Sequence, residues 1–194
     1  MPSDSGYQIE PLTPFHDRAA FTSGAAELDD YLHHQAGQDA RRKVAAPFVM
    51  VDDHGSILGY YTLSAYSIRL DALPRVIAKR LPRYPLVPAT LLGRLAVSSA
   101  CQGQKLGRYL LMDAIHRSWR NTAEVASAGV VVDALDDAAR TFYIHHEFMP
   151  LLDHPNRLFL AMVTIDRAFK ARGRPRRAIK RSTPLSRTDP GVDV

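Results

Sequence analysis

A short polar segment in the middle of the chain, residues 102–108 (QGQKLGR), has the residue types of an anion-binding turn. The apolar run 91–97 before it predicts a strand, and the amphipathic run 106–120 after it predicts a helix. The first N–H groups of a helix have no acceptor within the helix and lie at the positive end of its dipole, so such a turn can bind a phosphate. Gly103 and Gly107 would allow close approach to the backbone, and Lys105 and Arg108 would add charge. Taken alone, an ordinary helix-start turn is a serious alternative.

A second segment is the predicted helix 137–146, and Tyr143 on it, taken alone, is a core aromatic side chain whose hydroxyl bonds to the backbone. His145 and His146 follow it on the predicted helix 137–146; successive helix positions point in different directions, so at most one could face the same site. Cys101 is the only cysteine, which excludes an intrachain disulfide and a CxxC clip, and we predict no metal site.

The two segments together resemble the GNAT N-acetyltransferases. Their pyrophosphate turn is written Q/R-x-x-G-x-G/A, and residues 102–107 occupy that pattern with Lys105 where the middle glycine usually stands. Residues 136–148 resemble the family's N-x-x-A-x-x-x-Y-x-x-x-G-F ending, with Asp136 for the asparagine and Glu147 for the glycine. The resemblance implies that acetyl-CoA is the cosubstrate and that Tyr143 protonates the departing sulfur.

The resemblance also implies which residues hold acetyl-CoA. The backbone of residues 104–108 would bind the pyrophosphate, and the strand end 95–97 would pair with the pantetheine amides like an added strand. The full set is Leu95, Ala96, Val97, Gln102, Gly103, Gln104, Lys105, Leu106, Gly107, Arg108 and Asp136.

Longer stretches resemble one branch of that superfamily, the acetyltransferase toxins of bacterial type II toxin–antitoxin systems. They include FTSGAAELDDYLHHQAGQDARR, LGYYTLSAYSI and LGRLAVSSACQGQKLGRYLL, and the resemblance covers residues 21–165. It implies transfer of acetyl to the amino group of aminoacyl-tRNA, by direct attack without an acetyl-enzyme. It also implies an antitoxin protein as partner, and it leaves a homodimer open.

The chemistry of an aminoacyl amine suits this sequence. An α-amino group titrates near pH 8 and a lysine near 10.4, so the lysine costs roughly 3.4 kcal/mol more to deprotonate. The predicted strand 91–97 carries Arg94 and no acidic residue. The absence of a strong base there fits an amine that loses its proton easily.

Basic residues suggest how tRNA could be bound. A proline-rich segment, residues 69–90, contains basic residues that could contact phosphates, and Arg41, Arg42 and Lys43 form a second patch. The alternative is a solvated basic loop. The predicted tRNA-binding residues are Arg75, Lys79, Arg80, Arg83 and Arg94.

Hydrophobic periodicity predicts the elements that position these residues. Strands are predicted at residues 7–12, 47–51, 57–68, 91–97, 125–135 and 158–165. Helices are predicted from Ser23, as N-cap, to about residue 42, near 75–80, and at 106–120 and 137–146. This is the α/β (α+β) class, and the resemblance implies a GNAT fold: a single mixed central sheet with an N-terminal antiparallel part, splayed central strands and helices on both faces.

Composition limits the organisation of the chain. Its 194 residues are 46% hydrophobic, which suits one domain, predicted as residues 1–169. The formal charge of +5 comes from the predicted disordered tail, residues 170–194, whose eight basic and two acidic residues leave about −1 for the rest. Because the sequence has neither a run of roughly 20 apolar residues nor a secretory signal, we predict a soluble, cytoplasmic protein with no membrane partner.

Two other functions are compatible with the same sequence. One is a GNAT enzyme that acetylates a protein N-terminus, a lysine or a small amine. The other is a non-catalytic module that binds coenzyme A or nucleic acid through the arginine-rich tail.

Overall fold

Seven strands form one mixed sheet, in the order β1-β2-β3-β4-β5-β7-β6, in the computed structural model, which describes residues 6–172. They are β1 (Tyr7–Pro11), β2 (Ala46–Asp52), β3 (Ile57–Arg69), β4 (Leu86–Val97), β5 (Gly129–Asp133), β6 (Met149–Pro150) and β7 (Arg157–Ala161). Strands β1 to β4 pair antiparallel, β4 pairs parallel with β5, and β7 pairs antiparallel with β5 and β6. The predicted mixed sheet with an antiparallel N-terminal part is confirmed.

Helices cover both faces of the sheet. Successive side chains of a strand point to opposite faces, so a buried strand presents apolar side chains on both faces of the sheet. On β3, Tyr61 belongs to the core under α4 (Leu106–Asn121), α5 (Asp137–His145) and α6 (Met162–Arg172). Its neighbour Tyr60 packs on the opposite face, against α1 (Ala26–Asp30), a π-helical turn (Tyr31–Gln35) and α2 (Ala36–Arg42). The short α3 (Arg75–Ala78) packs on a third cluster with Ile68, on the same face as Tyr60.

The two central strands diverge. Strand β4 pairs with β5 at Thr90, Leu91 and Leu92 only, whereas its pairing with β3 continues to Val97. In the part of the chain that the structure describes, the last part of β4 therefore has a backbone edge with no strand beside it. This is the splayed centre that the family resemblance implied.

A β-bulge lies where the strands begin to diverge. Thr62 of β3 pairs with Arg94 and the next residue, Leu63, pairs with Leu92, so Gly93 is the extra residue. An extra residue reverses the alternation of side chains. Leu92 lies in the core under α4, but Arg94 lies on the opposite face, over the ring of Tyr31.

The start of the first helix differs from the prediction. Helix α1 begins at Ala26, its N-cap residue is Ala25, and no side chain among the described residues caps it. Ser23 instead binds Asp29, to which its backbone N–H donates at 2.8 Å and its hydroxyl at 2.6 Å. The prediction of Ser23 as N-cap is wrong because helix α1 begins three residues after Ser23, and the Ser23 hydroxyl donates to Asp29 instead of accepting from the first turn of the helix.

The last predicted strand is also wrong in part. Strand β7 ends at Ala161 and the chain enters α6 at once, so residues 162–165 are helical. An unbroken apolar run cannot distinguish a buried strand from a buried helix. Helix α6 continues to Arg172, past the predicted domain boundary at residue 169, and residues 173–194 of the predicted tail lie outside the described residues.

The boundaries of β4 and β5 also differ from the predicted ones. Strand β4 begins inside the proline-rich segment, five residues before the predicted start, because residues there pair with β3. The carbonyl of Pro88 also accepts a hydrogen bond from the N–H of Ala128 at 2.8 Å. Strand β5 is shorter than predicted: it spans Gly129–Asp133, whereas the predicted strand is 125–135.

Candidate active site

The turn between β4 and α4 presents free donors. Lys105 has φ +63°, in the left-handed region, and occupies the N-cap position of α4 without a side-chain cap. Within residues 6–172, the N–H groups of Lys105, Leu106 and Gly107 have no protein acceptor, and the N–H of Arg108 bonds to the Lys105 carbonyl at 3.0 Å. Unpaired donors at the positive end of a 16-residue helix form a site for an anion.

The turn is held in place by the loop that precedes α1. The Gln102 side-chain amide donates to the Ser23 carbonyl at 2.9 Å, and the Ser99 N–H donates to the Thr22 carbonyl at 2.8 Å. Gln102 therefore fixes the turn through its side chain, whereas Gly103, at φ +80°, supplies a backbone conformation that glycine adopts without strain.

The free edge of β4 leads directly into this turn. Leu95, Ala96 and Val97 pair with β3 on one side, and no strand of the described residues 6–172 pairs with them on the other. Unpaired strand backbone is a template for the amides of an extended ligand. The structure thus brings together the predicted pantetheine edge and the predicted pyrophosphate turn.

A cavity of about 730 Å³ continues from the turn between α4, α5 and α6. Gly107 lies at its wall, where a Cβ atom would be 3.7 Å from the Val97 side chain and 3.9 Å from the Phe142 ring. The exposed basic residues Lys105 and Arg108 also line it. The cavity can take a bulky group attached to the anion held at the turn.

Both histidines after Tyr143 line this cavity, whose wall does not include Tyr143. Helix α5 ends at His145, so His146 no longer follows helical spacing, and the expectation that at most one histidine faces the Tyr143 site stays a prediction. The His146 Nδ1 atom lies 2.8 Å from the Phe142 carbonyl and, as a donor, fixes the ring.

Tyr143 lies beside the cavity and is not part of its wall. Its ring is buried, 7% exposed, between Phe142 and Phe148, whose ring centroids are 5.3 and 5.5 Å away. Within residues 6–172 its hydroxyl has no hydrogen-bond partner, and no buried side-chain oxygen or nitrogen there lacks one. The hydroxyl must therefore reach accessible space, which leaves it free to bind a ligand.

Burial raises the pKa of Tyr143 well above the ordinary value of a phenol. The cause is loss of solvation, which disfavours the phenolate. The hydroxyl consequently remains a proton donor throughout the physiological pH range.

Asp136 has a clear local function. It is the N-cap of α5, and its side chain accepts a hydrogen bond from the Ala139 N–H at 2.7 Å. This carboxylate stabilises the helix that carries Tyr143, and a direct contact with acetyl-CoA stays a prediction.

No family model matches this chain, but two curated proteins similar to it are toxins. A tRNA-acetylating toxin of Mycobacterium tuberculosis is 35% identical over 159 residues, which cover 81% of this chain and 94% of that toxin. The probable toxin TacT of Sinorhizobium fredii is 30% identical over 166 residues, which cover 81% of this chain and 92% of TacT. This chain belongs to the acetyltransferase toxins of toxin–antitoxin systems.

Solved acetyltransferase toxins have the same fold. AtaT in complex with acetyl-methionyl-tRNAfMet matches with a TM-score of 0.79 and 31% identity over 84% of this chain and 99% of AtaT. A tyrosine-to-phenylalanine variant of KacT matches with a TM-score of 0.80 and 27% identity over 85% of this chain and all of KacT. A tyrosine-to-phenylalanine variant of AtaT, bound to acetyl-CoA and the C-terminus of antitoxin AtaR, matches with a TM-score of 0.73 and 27% identity. The match covers 85% of this chain and 99% of AtaT.

The predicted tRNA-binding residues of this acetyltransferase toxin separate into two groups. Arg75, Lys79, Arg80 and Arg83 are exposed on the connection between β3 and β4. Arg94 is partly buried, with its guanidinium carbon 3.6 Å from the centre of the Tyr31 ring. The structure does not bring Arg94 into the exposed basic group.

Residues missed by the sequence analysis surround Arg94. Burial, together with the hydrogen bond to Asp39, raises the pKa of Tyr31 to about 12, and Arg94 opposes that rise. The bulge residue Gly93 decides the direction in which Arg94 points. A glycine inside a predicted strand was the available signal for that bulge.

One cluster in the described part of the toxin has metal-ligand residue types: Asp30, His33 and His34, with side-chain atoms within 4.8 Å of one another. His33 Nε2 lies 2.8 Å from the Phe21 carbonyl, which accounts for one of its ring nitrogens. None of these three residues lines the cavity that continues from the anion turn. No helix within residues 6–172 has both the length and the apolar character needed to cross a membrane.

Proposed function

We propose that this toxin transfers the acetyl group of acetyl-CoA to the α-amino group of an aminoacyl-tRNA and so blocks translation. The observation that carries the proposal is the free edge of β4, which ends at a turn where three N–H groups have no acceptor among residues 6–172. A long ligand with amides at one end and a diphosphate at the other fits that arrangement. Named relatives support the substrate, because AtaT has been solved with an acetylated aminoacyl-tRNA.

The cosubstrate and the amine approach from opposite faces of the sheet. The anion turn leads into α4, and Tyr143 belongs to the core under α4, so the thioester reaches the divergence of β4 and β5 from that side. Arg94 and the exposed basic group lie on the other face, which is the side from which tRNA approaches.

The reaction is a direct transfer. The neutral amine attacks the thioester carbonyl, a C–N bond forms, and the C–S bond breaks as the tetrahedral intermediate collapses. The Tyr143 hydroxyl donates its proton to the departing sulfur, the attacking nitrogen loses a proton to solvent, and solvent reprotonates the tyrosine. Unpaired N–H groups of β4 near the bulge are suitable donors to the oxyanion.

No carboxylate is needed as a strong base. β4 carries Arg94 and no acid, and an α-amino group is already partly neutral near pH 8. A nearby cation such as Arg94 disfavours the protonated amine further. This arrangement favours an aminoacyl amine over a lysine.

The proposal includes the partner and the compartment. Since AtaT has been solved with the C-terminus of its antitoxin AtaR, we infer that a small antitoxin protein neutralises this toxin. Its substrate would be met in the cytoplasm. Self-association as a homodimer stays a prediction.

The test is an acetylation assay with purified protein, labelled acetyl-CoA and total charged tRNA. We expect label in charged tRNA and none in uncharged tRNA. Preferential labelling of lysine peptides or free amines would show that the substrate assignment is wrong. Binding of acetyl-CoA without label in any acceptor would show that the protein is a binding module and not an enzyme.

A further inference from the structure

A groove of about 780 Å³ lies at the end of the sheet where β3 stops and β4 starts. It is far along β4 from the acetyl-CoA turn and shares no wall residue with the cavity there. The residues that matter for its chemistry are Arg69, Asp71, Ala78, Arg83, Tyr84 and Leu86.

The charge of this groove is positive. Its one acidic wall residue, Asp71, is already paired with Arg69, whose Nε donates to the carboxylate at 2.9 Å. That pair lowers the pKa of Asp71 and raises the pKa of Arg69. Within residues 6–172 no carboxylate forms a salt bridge with Arg83, so its guanidinium is available to an anion.

Tyr84 supplies an aromatic face next to that charge. Its side chain is 66% exposed, and its ring stacks on no other aromatic ring in the described chain. Pro82 and Pro85 flank it, and the Tyr84 N–H bonds back to the Pro82 carbonyl at 2.8 Å, which makes a tight turn. A stiff turn presents the ring at low entropic cost, and an exposed aromatic beside an arginine is a stacking platform for an unpaired base.

We propose that this groove binds a nucleotide of the single-stranded 3′ end of the tRNA. Its base stacks on Tyr84 and its phosphate binds Arg83. The inference rests on the proposed function and deepens it by naming where the unpaired strand is held. Because stacking tolerates any base, the groove gives affinity and direction without sequence choice.

The position of the groove fits that role. Leu86 at the groove and Gly93 at the divergence of the strands are seven residues apart on β4, which is about 23 Å at the rise of an extended strand. A few unstacked nucleotides bridge such a distance. The bound nucleotide is therefore upstream of the aminoacylated one, and the groove directs the end of the strand toward the thioester.

Three variants of the full-length protein test the groove: Tyr84→Ala, Tyr84→Phe and Arg83→Ala, with the exposed Phe15→Ala as a control remote from it. The probes are uncharged tRNA and the same tRNA without its single-stranded 3′ end, each titrated over a range of salt concentrations. Tyr84→Ala should weaken binding of intact tRNA about 5- to 150-fold without changing the slope of log affinity against log salt. Tyr84→Phe should bind like the unaltered protein, and Arg83→Ala should reduce the slope by about 0.7.

The comparison between the two RNAs decides the result. Tyr84→Ala should have no effect on tRNA that lacks the 3′ end. Unchanged binding of intact tRNA by Tyr84→Ala, or equal weakening for both RNAs, would overturn the proposal. Acetylation of charged tRNA by the unaltered protein is measured in parallel, so that a failed groove with intact activity is distinguished from a failed function.

Discussion

At the scale of single residues, the candidate chemistry depends on two unusual environments. Tyr143 has a buried ring with a hydroxyl that no described residue engages, and Lys105 adopts a left-handed conformation at the start of α4. The first keeps a phenol protonated beside the predicted thioester. The second is a backbone conformation that glycine adopts more readily than a residue with a side chain, at the position where the family pattern has a glycine.

Removing the Tyr143 hydroxyl should affect catalysis alone. We expect Tyr143→Phe to lower kcat for acetyl transfer about 10²- to 10⁴-fold, since a positioned general acid contributes that much. Acetyl-CoA affinity, measured by calorimetry, should change less than about threefold, because the ring remains. In the unaltered protein, activity should show no loss from deprotonation of this phenol below pH 10, since burial raises its pKa and only the protonated form donates. An acyl-transfer rate unaffected by Tyr143→Phe would exclude the hydroxyl as proton donor.

Lys105 allows charge and backbone strain to be separated. Lys105→Gly should stabilise the fold by about 0.5–1 kcal/mol. A residue with a side chain costs roughly 1–2 kcal/mol in the left-handed region, and glycine avoids that cost. Part of the gain is lost because glycine gives the unfolded chain more conformational entropy. Lys105→Ala keeps that strain and should give no such gain. Both variants lack the cation and should weaken acetyl-CoA binding alike. Chemical denaturation and calorimetry measure the two effects, and equal stability of the Gly and Ala variants would contradict the strain.

At the scale of elements, the site depends on how β4 is paired. The bulge at Gly93 and the divergence from β5 leave one edge of β4 open and turn Arg94 toward the face opposite α4. Helix α5 then places Tyr143 beside that opening, and Asp136 determines where α5 begins. The geometry of the site is thus a property of strand pairing and of one helix cap.

Replacing the α5 cap should change stability. Asp136→Ala should destabilise the fold by about 1 kcal/mol, the usual cost of losing an N-cap side chain, whereas Asp136→Asn retains the acceptor oxygen and should cost less. Thermal unfolding of the three proteins measures this. If Asp136 also contacts acetyl-CoA, both variants should weaken cofactor binding at temperatures where they are fully folded; unchanged binding would restrict its role to the cap.

At the scale of the whole molecule, the fold separates two surfaces. The elements predicted to bind acetyl-CoA lie under and beside α4, and the exposed basic residues lie on the β3–β4 connection packed against the other face. The structural matches include 99–100% of the solved toxin chains but only 84–85% of this chain. This chain therefore carries residues that those toxins do not share. Basic residues 174, 176 and 177 belong to the part outside the structural description.

The basic group should act on tRNA and not on acetyl transfer itself. Replacing Arg75, Lys79 and Arg80 by glutamine should weaken tRNA binding and lower the salt slope by about 0.9 for each duplex phosphate that the variant no longer binds. Acetylation of a free amino acid ester should be unaffected, which provides the control. Activity on charged tRNA that survives with an unaltered salt dependence would assign tRNA binding to another surface.

The sequence by itself determined the local units: the glycine-containing turn before α4, the α4 amphipathic helix, the strands β2 and β3, and the helix that carries Tyr143. Each of these depends on residues within a few positions of one another, so periodicity and turn chemistry are sufficient to recognise them. Only the tertiary structure decided the bulge at Gly93, the strand-to-helix change at Met162, the binding of Ser23 to Asp29 and the position of Arg94 over Tyr31. These features result from hydrogen bonds and packing between segments distant in the chain, or from competition between groups for one partner, and neither is encoded in local spacing.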